Sequence, residues 1–579
     1  MARVTKWGVS DFKALSGASL DLSPLTIISG ANSSGKSSIL QSLLLLGQTV
    51  SRGGSIVLNG PLVRLGLPKD VVRSGQKTTQ FELSVKVDIG TRQKPKTTQV
   101  TVTLSFAPDA TNSTLALSAL EIFNSEDDSV VLAATAERIN SADAARIREI
   151  TSNDVTHLRI TTISGKKAPN RMYLACIGLL PVSIVLHRDK ATIQKQMLVA
   201  LHAFSGSERM PYETMLEIGR YVDRDSFLRE IGKQVPTEDA NTQSGQRSQT
   251  ATTRWSARDI RLLSSSELDT LLQRTATERS KNEWVVASFN QFGYYSSSGL
   301  RFGGPSIHSD GALEDLVSSE FEAPLLYLMS IGQALQTFGT SIRYLGPLRD
   351  EPKVVHGVWD ERVDSLPVGI RGELTAEVLT RRKSDYIQYR DWNNRPAKKS
   401  LPDAVADWCN YLGLGDHINV LDLGKQGRGI ELRVNGVHRD LTTIGVGASQ
   451  LLPVLVAGLT VPIGSIVMVE QPELHLHPKV QSRLADFFLY ARPGVKFLIE
   501  THSEYLITRI RRRVAEGKVS PTTVRVMFAE QHQGATSVRT LGMSEFGDFE
   551  VWPDGFFDAQ DDDSLEIVRA VALRLGGND

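Results

Sequence analysis

Cysteine is scarce in this chain. Cys176 and Cys409 stand far apart among 579 residues, and no CxxC pair occurs. That excludes a zinc ribbon, a zinc hook and a disulfide framework, and it fits a reducing compartment. Long apolar runs are missing too: residues 43–46 and 466–469 are the nearest candidates, far below the roughly 18 residues of a membrane span. The opening ten residues lack the basic and apolar regions of a signal peptide, so a cytoplasmic location without membrane attachment is expected. Neither sign of charge is in excess, with 65 Lys plus Arg against 65 Asp plus Glu. This argues against a surface coated for bulk nucleic-acid binding and leaves room for a local basic groove. No heptad pattern is sustained and no internal repeat is found, which excludes a long coiled-coil arm.

What is present is ordinary for a soluble globular chain: 41% hydrophobic and 22% charged residues. The length corresponds to about three to five domain-sized units. Residues 25–29 (LTIIS) form an apolar, β-branched run between Pro24 and Gly30 and are predicted to be a buried strand. Residues 38–48 are predicted to be helical, with Ile39, Leu40, Leu43, Leu44 and Leu46 apolar. Residues 81–87 and 100–106 alternate, as antiparallel strands with one wet face do. From His187 the chain turns more polar and helical in pattern, and residues 236–256 are nearly free of large aliphatics. That stretch reads as a mobile loop or linker. Strand patterns return at Ile342 and across residues 418–434. The expected organisation is one α/β domain built from residues 1–186 and 336–579, interrupted by a mostly helical insertion over 187–335.

Residues 30–37 read GANSSGKS and match GxxxxGKS in full, after a predicted strand and at the start of a predicted helix. In that context the loop's backbone N–H groups face phosphates. Lys36 supplies a point charge to the β- and γ-phosphates, and the Ser37 hydroxyl can ligate Mg²⁺. Gly30, Asn32, Ser33, Gly35, Lys36, Ser37 and Ser38 are the candidate ATP-binding positions. A second apolar strand, residues 466–469, ends in Glu470, where a carboxylate can join the Mg²⁺ shell. Residues 444–450 (IGVGASQ) are glycine-rich and precede an apolar helix, whose start can present N–H groups to a phosphate. A third apolar strand, residues 495–499, leads to Glu500, Thr501 and His502, and a His just past a strand end can sense a γ-phosphate. Each feature alone is common; their order along the chain is the stronger signal. Lys36 and Glu470 are 434 residues apart (470 − 36), a gap that an interrupting insertion explains.

On these residues the chain resembles the ABC-type AAA family of ATPases, which includes the RecF, SMC and OLD proteins. It is most similar to stand-alone OLD-like members, in VSDFK (9–13), GANSSGKSS, RYLGPLR (343–349), VGASQLLP (446–453), VEQPELHLHP (469–478), ETHSEYL (500–506) and WPDGFF (552–557). The resemblance implies a mixed-sheet α/β head in which Gly447, Ala448, Ser449 and Gln450 contact the ATP held by a partner subunit. It further implies Glu470 as the Walker B acid, His475 to Pro478 as the D-loop region, His502 as the switch histidine and Lys13 as a nucleotide-touching basic residue. Lys36, Glu470, Gln471 and His502 are then the catalytic candidates, Ser37 and Glu470 the Mg²⁺ ligands, and ATP with Mg²⁺ the cofactors. No Q-loop glutamine is assigned.

One departure matters. The family usually has Glu after the Walker B acid, and here Gln471 stands there. An amide orients water but cannot accept its proton. Slow turnover, help from Glu473 or another group, or an engineered trapping substitution are the alternatives. Only 77 residues (579 − 502) follow His502, so no Toprim nuclease domain is expected, given the roughly 100 residues of a small α/β domain. Asp561 to Asp563 read as a helix start, His475 and His477 as D-loop structure more than as a metal cluster, and Trp392 and Trp408 as packing residues. Arg381 to Lys383 and Arg509 to Arg513 are candidates for nucleic-acid contact or, in a helix, for a solvated face. The expected partners are a second copy of the chain, as a homodimer or higher homo-oligomer, and a separate effector such as a nuclease. The resemblance extends to Septu-type and retron-associated ATPases of antiviral defence. A RecF-like repair ATPase and a non-hydrolysing ATP-dependent scaffold are the alternatives.

Overall fold

A computed structural model of the chain describes residues 3–52, 56–91, 94–109, 111–137, 156–189, 282–288, 319–357, 368–553 and 559–576, with the single positions 139, 143, 147, 270 and 274. Strands β1 (Arg3–Phe12), β2 (Leu15–Asp21) and β3 (Leu25–Gly30) are followed by helix α1 (Lys36–Arg52). A run of strands comes next: β4 (Thr79–Thr91), β5 (Lys94–Pro108), β6 (Leu115–Asn124), β7 (Val130–Thr135), β8 (Thr156–Ile163), β9 (Lys166–Lys167), β10 (Met172–Ile177), β11 (Leu180–Asp189) and β12 (Asn282–Ser288). Helix α2 (Ser319–Ser341) runs directly into β13 (Ile342–Leu345). Then come α3 (Thr375–Arg381), β14 (Tyr386–Arg390), β15 (Pro396–Ser400), α4 (Leu401–Leu412), β16 (His417–Asp422), β17 (Arg428–Val434) and β18 (Val437–Asp440). The last part holds α5 (Val446–Thr460), β19 (Ile466–Glu470), α6 (Pro478–Tyr490), β20 (Lys496–Glu500), α7 (Glu504–Ala515), β21 (Val524–His532), β22 (Ala535–Leu541) and α8 (Ala559–Gly576).

The described strands form one mixed sheet of 17 strands plus two small sheets. The centre of the large sheet is parallel, in the spatial order β13, β19, β20, β3, β21. β22 then pairs antiparallel with β21 and parallel with β2, and the sheet continues antiparallel through β1, β4, β5, β6, β7, β8, β10, β11 and β12. This is an α/β fold with a mixed sheet, as the sequence led us to expect. The predicted strand at 25–29 and those at 466–469 and 495–499 all lie in the parallel centre. Their largely apolar runs follow from burial on both faces. β4 and β5 alternate in burial because one face is wet.

The period of two splits the centre between two cores. Ile28, Ile466, Met468 and Leu498 join the core that contains α1 and α2. Leu25, Ile27, Val467, Val469, Phe497 and Ile499 join the core of α4, α5, α6 and α7. Counting on by two, Glu470 follows Met468 and Glu500 follows Leu498, so both carboxylates are carried on the α1 face.

Of the segment 187–335, the stretch 236–256 lies outside the described residues, as does most of 190–318. Its described parts are the end of β11, β12, which extends the large sheet through β11, positions 270 and 274, and most of α2. Helix α2 packs on α1 closely enough that a Cβ added at Gly339 would lie 2.8 Å from Val50 Cβ. Among the described residues no helix is long and apolar enough to cross a membrane.

Candidate functional site

The loop of residues 30–35 joins β3 to α1, and its backbone explains its glycines. Gly30 has φ +144° and Gly35 φ +93°, conformations that L side chains rarely adopt. A Cβ on Gly30 would collide with the Ala529 carbonyl, and one on Gly35 would sit 2.5 Å from Thr536 Oγ1. Ser33 is also left-handed, at φ 61°. Ala31, Asn32 and Ser33 are exposed, whereas Ser34 and Lys36 are buried. Lys36 Nζ donates to the carbonyls of Gly30 (3.1 Å) and Ala31 (2.6 Å) and lies across its own loop. Burial lowers its pKa, and Glu500 opposes that shift. Ser38 N–H caps back to Gly35 O at 3.0 Å.

Three carboxylates face this loop from the strand ends and the turn after β19. Ser37 Oγ lies 3.3 and 3.2 Å from the two carboxylate oxygens of Glu500. Glu470 pairs with Glu500 in register across β19 and β20, and its Oε1 accepts the Tyr344 hydroxyl at 2.7 Å. Glu473 Oε1 accepts the His502 N–H at 2.7 Å. Burial raises the pKa of all three, and Glu500 is pushed up to about 7 by burial and by neighbouring Glu470. Arg349 pins the end of β19 by donating to the carbonyls of Glu470 (2.8 Å) and Gln471 (3.0 Å). Gln471 is left-handed at φ 44°, and its N–H donates to Glu500 O at 2.7 Å. Burial, then the charge of Lys36, lowers the pKa of His502, which favours the neutral imidazole.

The predicted residues therefore fall into two groups. Lys36, Ser37, Glu470, Gln471 and His502 come together around the loop. Lys13 lies on the β1–β2 turn, where its Nζ donates to Gln41 Oε1 of α1 at 2.8 Å and Asp70 is its charged neighbour; among the described residues no hydrogen bond joins it to the loop. Gly447, Ala448, Ser449 and Gln450 form the first turn of α5. Among the described residues no hydrogen bond joins them to the phosphate loop. Gly447 instead lies against the turn after β19, where a Cβ would be 2.9 Å from His475 O. His477 caps α6, its Nδ1 accepting from Lys479 N–H at 3.2 Å. Sequence reasoning assigned no role to Glu500, Tyr344 or Thr536. Glu500 carries much the same signal as Glu470, an acid at the end of a mostly apolar strand. Tyr344 and Thr536 are brought in by pairing between distant strands and leave no local mark.

The arginine run of α7 departs from the expectation of a solvated face. Arg513 is buried, with Nε 2.6 Å from Asp486 Oδ1, and Arg509 Nη2 lies 2.7 Å from Asp486 Oδ2. Asp486 itself is fully buried. Arg511 donates to Gly547 O and stacks over Phe549 and Trp552. Trp408 is fully buried against Trp392 and Tyr411, which stack at 5.0 Å.

A nucleoside triphosphate with a divalent cation is the group that such a loop implies. The donors fit it. The buried Ser34 Oγ in the loop has no hydrogen-bond partner among the described residues, nor does Glu473 Oε2. Ser37 and the acids ending β19 and β20 form an oxygen donor set suited to Mg²⁺. Among the described residues no group of three or more His, Cys, Asp or Glu is arranged to hold a metal ion by itself. A phosphate-bound Mg²⁺ takes only one or two protein carboxylates. A bound cation would neutralise phosphate charge, and the loop N–H groups, Lys36 and Ser37 would be the groups to hold and orient the phosphates.

Fold and site together define a P-loop α/β protein with its acids at the ends of neighbouring parallel strands. Residues 424–508, from the β16–β17 connection into α7, match the family model described as "AAA domain, putative AbiEii toxin, Type IV TA system". Among solved structures, the chain is similar to an Smc head domain with an extended coiled coil bound to the C-terminal domain of ScpA, from Pyrococcus furiosus. The identity is 11%, the cover 99% of this chain and 100% of that one, and the TM-score 0.34. It is similar at 8% identity to the SMC head domain from Thermotoga maritima, with 93% and 99% covered and a TM-score of 0.29. No curated protein matches the chain.

Proposed function

We propose that this chain binds and hydrolyses ATP as an ABC-type head, closes as a homodimer around ATP, and controls a separate effector protein in antiviral defence. The observation that carries the reading is the meeting of Lys36 and Ser37 with the in-register pair Glu470 and Glu500 on one face of the sheet. Lys36 turns from its loop carbonyls to the phosphates, Gln471 orients the attacking water, and neutral His502 faces the γ-phosphate. The hydrolysed γ-phosphoryl group passes to water. Residues 447–450 serve the partner subunit's nucleotide, which agrees with their lack of hydrogen bonds to their own loop. ATP then stabilises the closed state over the open one by contacts that only the closed state makes. The toxin–antitoxin description of the family model at 424–508 supports the defence setting.

The test is binding of the fluorescent analogue mant-ATP together with phosphate release, for the wild type and Lys36→Ala. Lys36→Ala is expected to weaken binding by about tenfold or more, corresponding to about 1.4 kcal/mol, and to abolish turnover. Equal binding and turnover in the two proteins would overturn the reading. For the cellular role, an effector encoded next to this chain is expected to co-purify with it; neighbouring genes devoted only to repair or replication would count against defence.

A further inference from the structure

We infer that a cationic cavity between the β14–β15 hairpin and the turns that precede β19 and β20 is a docking site for an acidic peptide segment of a partner protein. It is independent of the nucleotide reading. Both turns lie where their strands begin, whereas Glu470 and Glu500 lie where those strands end. Strands of five residues, at about 3.3 Å per residue, set the two edges about 16 Å apart. The cavity has a volume of about 430 Å³, within the roughly 300–1,000 Å³ of ligand sites. Its walls are tied together by hydrogen bonds. Arg390 N–H donates to Ala491 O at 3.0 Å, Gly464 N–H to Gly494 O at 2.8 Å, and Arg492 Nη1 to Gln388 O.

Charge names the ligand. Arg390, Lys398 and Arg492 line the cavity, and no Asp or Glu does. Strand pleating accounts for the first two. Gln388 pairs with Lys398 and Arg390 with Pro396, which sets both cations on one face of the hairpin. Lys399 takes the other face and meets Asp407 there at 2.8 Å. Among the described residues no carboxylate pairs with Arg390, Lys398 or Arg492, while nearby Arg381 and Arg382 each have one. Arg492 Nε is buried without a hydrogen-bond partner. Burial, then the charge of Arg382, lowers the pKa of Arg492. A carboxylate would fill the unused donor and offset that repulsion. The apolar lining separates peptide from nucleic acid. Ile463, 71% exposed, borders the same space with Pro396 and Pro493. These residues suit an aliphatic side chain beside the acid, whereas a phosphate backbone asks only for cations and polar donors. The zero net charge agrees with a local, peptide-sized site.

The experiment titrates the full chain into fluorescein-labelled, capped peptides and reads anisotropy. One peptide alternates glutamate with leucine, and the other has glutamine in place of glutamate. A labelled oligothymidylate is the third probe. The Glu-Leu peptide is expected to bind at least about tenfold more tightly than the Gln-Leu peptide, and more weakly as KCl rises. Arg492→Gln is expected to weaken it by about tenfold and Lys398→Gln by about threefold. Arg492→Lys keeps the charge and is expected to retain part of the affinity. Lys398 is an exposed strand residue, so Lys398→Gln is expected to keep its melting temperature, which separates lost binding from lost folding. Lys425→Gln removes an exposed cation outside the cavity and is expected to change nothing. The inference is overturned by absent binding of the Glu-Leu peptide, by equal binding of the Gln-Leu peptide, or by unchanged affinity in both Arg492→Gln and Lys398→Gln. Tighter binding of oligothymidylate, lost in those same two variants, would overturn it in favour of nucleic acid. A chain that binds the Glu-Leu peptide as expected and no mant-ATP supports this inference and overturns the nucleotide reading alone.

Discussion

Single residues at the site are set against one another more by burial than by charge count. Glu500 is pushed up to about 7, and Glu470 and Glu473 are also raised by burial. A carboxyl whose folded pKa exceeds its unfolded value contributes stability that is complete below the unfolded pKa and is lost as pH rises through the folded one. The nucleotide-free chain is therefore expected to melt at lower temperature as pH rises from about 5 to about 8. Glu500→Gln should flatten that slope in a thermal melt, and an unchanged slope would refute the assignment. Gln471 permits a second prediction. Its backbone is fixed to Glu500 O, so Gln471→Glu changes chemistry with little change in position. If the proton acceptor belongs here, phosphate release should rise about tenfold or more; an unchanged rate with intact mant-ATP binding would rule that out. These residues differ in how plainly the sequence announced them. Lys36, Ser37, Glu470 and His502 stand in motifs whose order along the chain singled them out, and the fold brings them to one loop. Glu500 stands in the same motif as His502 and went without a role, because a sequence shows an acid but not the spacing of the strands beside it.

Elements show where local reading failed. Four of the five residues from Arg509 to Arg513 in α7 are arginine, and a charged helix usually faces water. Here α7 packs on α6, and Asp486 of α6, fully buried, gathers Arg509 and Arg513. The desolvation of Asp486 opposes its ionisation, yet hydrogen bonds from Arg513, Arg509 and Tyr411 hold its pKa below the usual carboxylate range. Asp486→Ala would leave Arg513 with Glu516 and Arg509 with the Tyr411 hydroxyl but remove the buried acceptor they share, at a cost of about 3 kcal/mol, measurable by urea unfolding. A change below about 1 kcal/mol would mean that the pair is solvated after all. A single acid in an otherwise apolar stretch, as in the sequence LADFF, carries no hint of this. By contrast, the strand at 25–29 and the helix after it were legible because buried parallel strands leave continuous apolar runs. The extension of the sheet by β12 was not, since its partner β11 lies some ninety residues earlier and no periodicity connects the two.

At the scale of the molecule, one sheet takes strands from both ends of the chain: β3 lies between β20 and β21, and β2 pairs with β22. The length that suggested several independent domains is thus largely folded into a shared layer. A closed dimer is expected to form with ATP and to be absent with ADP, as read by light scattering. Val446, exposed beside Gly447, gives a clean probe. Val446→Glu should leave the melting temperature unchanged and prevent the ATP-dependent doubling of mass; a normal dimer would show that α5 does not face the partner. The passage from α2 into β13 has a consequence of its own. Helix ends at Ser341 and strand begins at Ile342 with no loop between them, and Tyr344 already holds Glu470. A helix that slides along α1 cannot take up slack before it tugs on that tyrosine. Helix and tyrosine therefore share one uninterrupted backbone, and a shift of α2 along its axis is passed straight to the strand that bears Tyr344.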